Sequence, residues 1–489
     1  MTDVASDPRW KLFEKPFEFV AGGKTHQGEK TVDIISPRDK RVVGSYWVPS
    51  LAQVDEALAA ARKAYEEVWS KVNGNGRAEY LRKIAVAFDQ HKEELEFLDA
   101  VDVGKTVNGF RYSDVGVSLD ALHYYAGKAM NLSGHSVDVG DPGVWHRSKL
   151  EPYGVVLEVL PWNGPIWTGL QNVAAILAAG NVAVVKPASV ASASFLHFAK
   201  IISEILPAGV ITVLPGPGGS VGDALVKHPQ IDFISLTGGV DSGRQVLHNS
   251  ADRVRRVSLE LGGKNPNIVL DDADLDVAVM WSTMGGFSNS GQICVCGSRI
   301  LVQRGIYDEF TEKLVASAKQ LVIGDPLLDS TTTGPVVGES HYESVWRYID
   351  EAKATLQGKL ILGGERYEGD LANGFYIPPT IFENVDPSCI IAREEIFGPV
   401  VSLTPFDDID DALRIANDTT MGLASGVFTK DINRASYVAD HLQAGQVYVN
   451  QWFAPGGTRA PSEGYKQSGI GGVGLYKYMQ EKNIFFRTN

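Results

Sequence analysis

Between Pro152 and Gly239, short apolar runs rich in β-branched residues alternate with stretches of helical spacing. The runs are Val155–Leu160, Val182–Val185, Ile211–Leu214 and Phe233–Leu236; the helical stretches are Gly169–Ala179, Ser192–Leu206 and Val221–His228. Uninterrupted apolar runs mark strands buried on both faces, and parallel strands have to be joined by crossover helices. The pattern therefore predicts an α/β fold with a parallel sheet. Ligands of such sheets bind outside the carboxyl ends of the strands. Those ends lead into Pro161-Trp-Asn-Gly-Pro165, Lys186-Pro-Ala-Ser189, Pro215-Gly-Pro-Gly-Gly219 and Thr237-Gly-Gly239. All four loops are glycine-rich, proline-rich or polar, as a nucleotide site requires.

A second α/β block starts near Leu259. It has strand texture at Asn267–Leu270, Ser298–Val302 and Val400–Leu403, and helices at Asp274–Phe287, Tyr307–Leu321 and Ser340–Leu356. Ahead of the first sheet, Ser50 and Gln53 form a capping-box pattern that opens a helix, and a second helix is expected from about Ala78. Residues 131–150 are turn-rich with alternating segments and read as a hairpin leaving the domain body. Strand texture returns at Gln446–Asn450, followed by a Gly/Pro-rich loop, Ala454–Gly474. The apolar tail around Ile484-Phe-Phe486 is suited to adding a strand to another subunit's sheet. A chain of 489 residues exceeds what one core supports, so two or three domains are expected.

The net charge of −14 disfavours nucleic acid and anionic membrane as partners, since both need clustered Lys and Arg. Three unevenly placed cysteines cannot form a disulfide framework, which points to a reducing compartment. The opening MTDVASDPRW lacks a basic stretch followed by an apolar core, and no apolar run approaches the roughly 20 residues of a membrane helix. A cytoplasmic protein is expected.

Two of the cysteines, Cys294 and Cys296, lie in Ser290-Gly-Gln-Ile-Cys-Val-Cys-Gly-Ser-Arg299, among small residues that let a ligand approach sulfur. Glu260, between Leu259 and Leu261 and ahead of two glycines, is poorly solvated, which raises a carboxyl group toward general-base range. Binding of backbone N–H groups would explain it equally. Asn163 sits on a turn bracketed by prolines, where a fixed amide can serve an oxyanion or simply form the turn. Lys186 closes an apolar strand facing the crevice, as a ribose or phosphate ligand or as an ordinary strand-end lysine. Gly238-Gly239-Val-Asp-Ser-Gly243 follows a strand and opens a helix, where backbone N–H groups can receive a phosphate. Gly469-Ile-Gly471-Gly-Val-Gly474 matches the dinucleotide fingerprint literally, but too little chain follows to build the βαβ unit of around 30 residues. The histidines show no metal-binding spacing, so no metal site is expected.

Taken together, these segments resemble the aldehyde dehydrogenase superfamily over nearly the whole chain. The resemblance rests on Pro161-Trp-Asn-Gly-Pro165, Lys186-Pro-Ala188, Leu259-Glu-Leu-Gly-Gly-Lys264, Gly291-Gln-Ile-Cys294 and Glu394-Glu-Ile-Phe-Gly-Pro399, in the family's order. It implies an α/β protein with a Rossmann-like cofactor domain (1–130 and 151–258), a second α/β catalytic domain (259–455) and a small β oligomerisation arm (131–150 and 470–489). It also implies oxidation of an aldehyde to the acid with NAD or NADP, in a homodimer or homotetramer. In that likeness Cys294 is the nucleophile, Glu260 the general base and Asn163 half of the oxyanion hole. Pro161, Trp162, Lys186, Ser189, Gly219, Thr237, Gly238, Gly239 and Leu261 would surround the cofactor, with Glu395 on the nicotinamide ribose and Phe397 beside it. Cys296 becomes a bystander or an oxidation partner.

Three positions depart from the family pattern. Ser189 stands where NAD-preferring members commonly carry Glu; serine does not repel a 2′-phosphate, so NADP is admissible. Gly239 replaces a serine near the phosphates. Gly164 replaces an aromatic residue of the substrate tunnel, leaving Trp167, Ile293, Val295, Trp452 and Phe453 as candidate walls. Such a tunnel suits a bulky apolar aldehyde, aromatic or terpenoid. A semialdehyde dehydrogenase, a CoA-acylating relative and a thiol esterase are the alternatives.

Overall fold

The computed structural model describes residues 6–453, 457–460 and 462–487. Ala454 and Pro455, with which the catalytic domain was expected to end, lie outside the described residues, as does Gly456.

The apolar runs of the first block form the middle of an eight-stranded sheet. Strands Ile211–Val213, Val182–Lys186, Val155–Val159, Phe233–Thr237 and Arg256–Glu260 lie side by side in that order and are all parallel. Phe19–Ala21 and Lys24–His26 extend one edge antiparallel, and Gly469–Ile470 closes the other. Val155–Val159 is the first parallel strand in the chain, and later strands are laid on both its sides. It therefore sits at the topological switch, where a crevice opens between diverging connections. Register aligns the carboxyl ends: Val159 pairs with Lys186 and with Leu236, and Thr237 pairs with Glu260. The four loops predicted to hold a nucleotide thus share one rim.

Arg256–Glu260 carries the first sheet beyond the expected boundary at residue 258, because Leu259 and Glu260 complete the ladder with Leu236 and Thr237. The literal glycine fingerprint contributes only the edge strand Gly469–Ile470 and opens no α-helix. Helix Leu51–Glu67 starts at the capping box read from Ser50 and Gln53. The next helix, Gly74–Asp102, begins four residues before the expected Ala78: the Asn73 side chain accepts from the Gly76 N–H and caps it across two glycines that read as breakers.

The second sheet runs in the order Lys359–Leu362, Thr380–Glu383, Val400–Phe406, Arg299–Gln303, Pro266–Val269, Ala424–Phe428, Gln446–Val449, and is parallel except at its first strand. Its Lys359–Leu362, Thr380–Glu383 and Ala424–Phe428 strands escaped the sequence reading, the last because Ser425 and Gly426 interrupt its apolar run.

The tail, expected to join another subunit's sheet, pairs within its own chain. Met479–Arg487 runs antiparallel to Val144–Pro152 through nine consecutive pairs, from Met479 with Pro152 to Arg487 with Val144. Trp145 and Phe486 stack face to face at 4.1 Å on this ribbon. Pairing with Val144–Pro152 satisfies one edge of the tail strand within its own chain; the far edge of Val144–Pro152 is met at Ser148, whose N–H donates to the His135 carbonyl at 2.7 Å, while Phe485 stays 63% exposed. Among the described residues, no helix is long and apolar enough to cross a membrane.

Candidate active site

The turn after Val155–Val159 brings Pro161, Trp162 and Asn163 to the rim, and Pro165 opens helix Pro165–Ala179 at its first position, where proline's fixed φ fits. Asn163 is buried. Its Nδ2 donates to the Gln292 carbonyl at 2.8 Å, and the Asn289 amide donates to its own carbonyl at 3.2 Å. One amide hydrogen of Asn163 is thereby held and the second is left for a ligand. Gly164 leaves no gap. A Cβ built there would lie 1.9 Å from Nε1 of Trp167, so the indole already occupies the space of the missing aromatic side chain. Trp167 is half-buried and faces this wall.

The cysteine loop is wound tightly. Asn289, Ser290 and Gly291 are three successive residues in left-handed backbone, at φ 50°, 57° and 72°. Asparagine tolerates that region and glycine enters it freely; Ser290 is held there by its hydroxyl on the Gly334 carbonyl at 2.7 Å. A Cβ on Gly291 would strike the Gly398 carbonyl at 2.1 Å, so the Gly-Gln-Ile-Cys and Glu-Glu-Ile-Phe-Gly-Pro motifs are packed backbone to backbone. The Gln292 carboxamide accepts from Val337 N–H at 2.9 Å and donates to Asn289 O. Asn265 Nδ2 donates to the carbonyls of Cys294 and Cys296 at 2.9 and 2.8 Å. Burial pushes the Cys294 thiol up to about 12, with the carboxylates of Glu395 and Glu260 pushing the same way. Ile293, Cys294 and Val295 are half-buried, while Cys296 is buried.

Trp452, expected on the tunnel wall, is a core residue at 0% exposure. Its indole fits against Gly285, Gly297 and Gly426, and Nε1 donates to the Val295 carbonyl at 2.8 Å. It braces the cysteine loop from behind. Phe453 is half-buried and left-handed at φ 60°.

Glu260 closes strand Arg256–Glu260, and burial raises its carboxyl to about 7. Its Oε1 is enclosed with no hydrogen-bond partner among the described residues. Glu395 folds against the glycine pair of the Leu-Gly-Gly-Lys motif. Oε1 accepts the Gly263 N–H at 2.9 Å, and a Cβ on Gly262 would lie 2.1 Å from Oε2. Burial raises it to about 7 as well. Phe397 is left-handed at φ 56° and meets Trp162 edge-on at 5.2 Å. Its carbonyl lies 2.8 Å from Nε2 of His341, whose ring packs on Trp162 at 5.0 Å.

The crevice fits a dinucleotide on its own terms. Lys186 is buried at the end of its strand, its ammonium hydrogen-bonds only the Pro187 carbonyl, at 3.1 Å, among the described residues, and burial lowers it to about 8. A buried ammonium with no anion beside it calls for an oxygen-rich ligand. Gly218, Gly219 and Gly239 have nothing within 4 Å of a built Cβ, and Gly219 and Gly239 face solvent. Thr237 ends its strand, and helix Val240–Ser250 starts directly after Gly239, with its free N–H groups at the rim. Ser189 Oγ donates to Gly216 O at 2.9 Å. The Leu261 side chain turns into the core beneath Gly243, so only its backbone borders the crevice.

Sequence reading missed the cation behind Glu260. Lys477 Nζ donates to Ser235 Oγ at 3.2 Å, and its charge is the largest one lowering the Glu260 carboxyl against the effect of burial. Tyr478 donates to Glu158 Oε2 at 3.2 Å, and Asn172 donates to Glu158 Oε1 at 2.8 Å. Burial brings Glu158 to about 7. Lys477 follows a glycine-rich stretch that reads as a turn, and nothing in its neighbours points to the strand ends. Lys264 is likewise buried without a hydrogen-bond partner among the described residues, and burial lowers it to about 7.

Residues 24–484 match the model of the aldehyde dehydrogenase family. The chain is 36% identical over 488 residues to an aldehyde dehydrogenase of Aspergillus niger, covering 98% of this chain and 97% of that one. It is 37% identical to aldehyde dehydrogenase [NAD(P)+] 2 of Saccharomyces cerevisiae, covering 93% and 92%. Among solved structures, betaine aldehyde dehydrogenase from Staphylococcus aureus in complex with NAD+ superposes with a TM-score of 0.94 at 36% identity, covering 98% of this chain and 96% of that one. The chain belongs to the aldehyde dehydrogenase family. It is an oxidoreductase that acts on aldehydes with NAD or NADP.

Proposed function

We propose that the enzyme oxidises a bulky apolar aldehyde, aromatic or terpenoid, to the free carboxylic acid through a thioester on Cys294. What carries the reading is one arrangement. The half-buried Cys294 lies on the loop whose Gln292 carbonyl orients the Asn163 amide, and its thiol feels the charge of Glu260, a carboxyl poised near neutrality with an unpartnered oxygen among the described residues.

On attack, the Cys294 Sγ–carbon bond forms, the carbonyl π pair moves onto oxygen, and the thiol proton leaves to water. The new alkoxide is held by the second Asn163 Nδ2 hydrogen and the Cys294 N–H. When NAD or NADP is bound in the crevice, its nicotinamide supplies the hydride acceptor. Lys186 and the N–H groups around Gly239 would hold its polar backbone, and Glu395 its nicotinamide-side ribose. Glu260 takes a proton from water as that water attacks the thioester; the acid leaves and Sγ is freed. A carboxyl near 7 can do this at neutral pH, whereas an ordinary glutamate is too weak a base. This deacylating role favours hydrolysis over transfer to CoA.

The half-buried indole of Trp167 over Gly164, with Ile293, Val295 and Phe453, supports an apolar substrate. The same indole face also suits a quaternary ammonium aldehyde, such as the one named for the Staphylococcus aureus relative. Initial rates over benzaldehyde-type, terpenoid, long-chain, semialdehyde and betaine aldehyde substrates decide between them. The apolar reading falls if a short anionic or cationic aldehyde has the highest kcat/KM.

The reading further assigns 1–130 and 151–258 to cofactor binding, 259–455 to catalysis, and 131–150 with 470–489 to assembly of a homodimer or homotetramer in the cytoplasm. The 63% exposure of Phe485 on a ribbon of two paired strands supports assembly, since such a ribbon alone is marginal.

Two predictions follow from the cofactor rim and the hidden cation. Ser189→Glu places a carboxylate where a 2′-phosphate would lie. It should raise KM for NADP at least about tenfold relative to NAD; an unchanged ratio would put Ser189 away from that ribose. Lys477→Met removes the charge that lowers Glu260, so the Glu260 carboxyl rises further. The acidic limb of the kcat profile should then move to higher pH, and Lys477→Arg should leave it in place. A profile that drops in height without moving would make Lys477 purely structural.

A further inference from the structure

We propose that His91, Glu94 and His197 form a zinc site that clamps the two helices behind the cofactor loops. His91 and Glu94 are three apart in helix Gly74–Asp102 and therefore share a face. His197 projects from helix Ala193–Ser203, the first helix after the Lys186–Ser189 loop. Both rings converge on one carboxylate oxygen: His91 Nδ1 lies 3.0 Å and His197 Nε2 2.8 Å from Glu94 Oε2. All three ligand atoms fall within 4.8 Å of one another.

Neighbouring ligands of a tetrahedral zinc with bonds of about 2.05 Å are about 3.3 Å apart. The two nitrogen–oxygen spacings are shorter by only a few tenths of an ångström and the two nitrogens lie within 4.8 Å of each other, so a modest shift of the side chains admits the ion. Two imidazoles and one carboxylate are a zinc donor set, and their softness does not suit calcium or magnesium. The side chains keep 36%, 37% and 19% exposure, which leaves the fourth position to water. Each ring can move its proton to the other nitrogen when metal displaces the hydrogen bond. The bed is firm, since Phe88, one turn before His91, meets Phe198 edge-on at 5.9 Å.

Without metal, the same residues form a hydrogen-bonded tie, and that is the competing outcome. Calorimetric titration of the full-length, chelator-treated enzyme with zinc sulfate should show one equivalent that is weakened at least about tenfold in His197→Gln and in His91→Gln. Cobalt substitution should give tetrahedral absorption without a thiolate-to-metal charge-transfer band, which separates this site from Cys294, Cys296 and Cys389. Zinc should also raise the melting temperature of the wild type and not of either variant. Equal affinity in wild type and variants, or a thiolate band, overturns the proposal. His91 is the more exposed ligand, so His91→Gln serves if His197→Gln fails to fold.

Discussion

Cys294→Ala should lower aldehyde oxidation by about four orders of magnitude or more, the scale on which removing a covalent nucleophile acts. Folding and cofactor binding should survive, because the loop is set by its backbone and its neighbours. The Cys294 carbonyl accepts from Asn265, Gln292 anchors to Val337, and the Trp452 indole holds Val295. Cys296 cannot substitute. It is buried where Cys294 is half-buried, and its N–H is committed to the Ile293 carbonyl and so is closed to an oxyanion. The measurement is the initial rate of reduced-cofactor formation, beside a cofactor titration that shows the crevice intact. Turnover near the wild-type rate would remove Cys294 from the mechanism.

The resting thiol is protonated, since burial and two nearby carboxyl groups all act against the thiolate. Attack therefore requires the proton to leave as the sulfur engages the carbonyl. In the proposed mechanism Asn163 and the Cys294 N–H would lower the cost by receiving the charge on oxygen instead of sulfur. This is a reason to place Asn163 in the buried wall rather than on a mobile loop: its Nδ2 is oriented by the Gln292 carbonyl before any substrate arrives.

How far the chain could be read without coordinates follows the physics of each signal. Val155–Leu160 and its parallel neighbours were legible because central strands bury both faces and show it as unbroken apolar runs. The Gly291-Gln292 register, on which the choice of Cys294 over Cys296 rests, has a steric basis at its first position: only glycine fits against Gly398. What sequence hid was long-range. Whether Trp452 lines a tunnel or fills a core depends on glycines at 285, 297 and 426, which no local pattern links to it. Trp167, by contrast, is legible as a replacement wall for Gly164 and does fill that space, from only one turn along the helix. Lys477 sits more than two hundred residues from Ser235, which it contacts. His91 and His197 had no motif spacing because helix packing, rather than sequence, brings them to Glu94. The start of helix Gly74–Asp102 was missed for a different reason: a cap by Asn73 outweighed two helix-breaking glycines.

Glu260→Gln should separate the two halves of the reaction. The amide has nearly the carboxyl's shape, so acylation can proceed once per active site, giving a burst of reduced cofactor. Steady-state turnover should then fall by about two to four orders of magnitude, the usual contribution of a positioned base. Mass spectrometry of the stalled enzyme should find the acyl group on Cys294. The pH dependence makes the test sharper. Glu260 lies near 7 because burial penalises its charge, and it must be ionised to accept a proton from water. Wild-type kcat should therefore fall as pH drops through about 7, and in Glu260→Gln the slow residual rate should lose that limb. Steady-state turnover near the wild-type rate, with no burst and no accumulated acyl-enzyme, would rule out Glu260 as the deacylating base. A variant lacking even the first turnover would assign Glu260 to removing the thiol proton, one step earlier on the same sulfur.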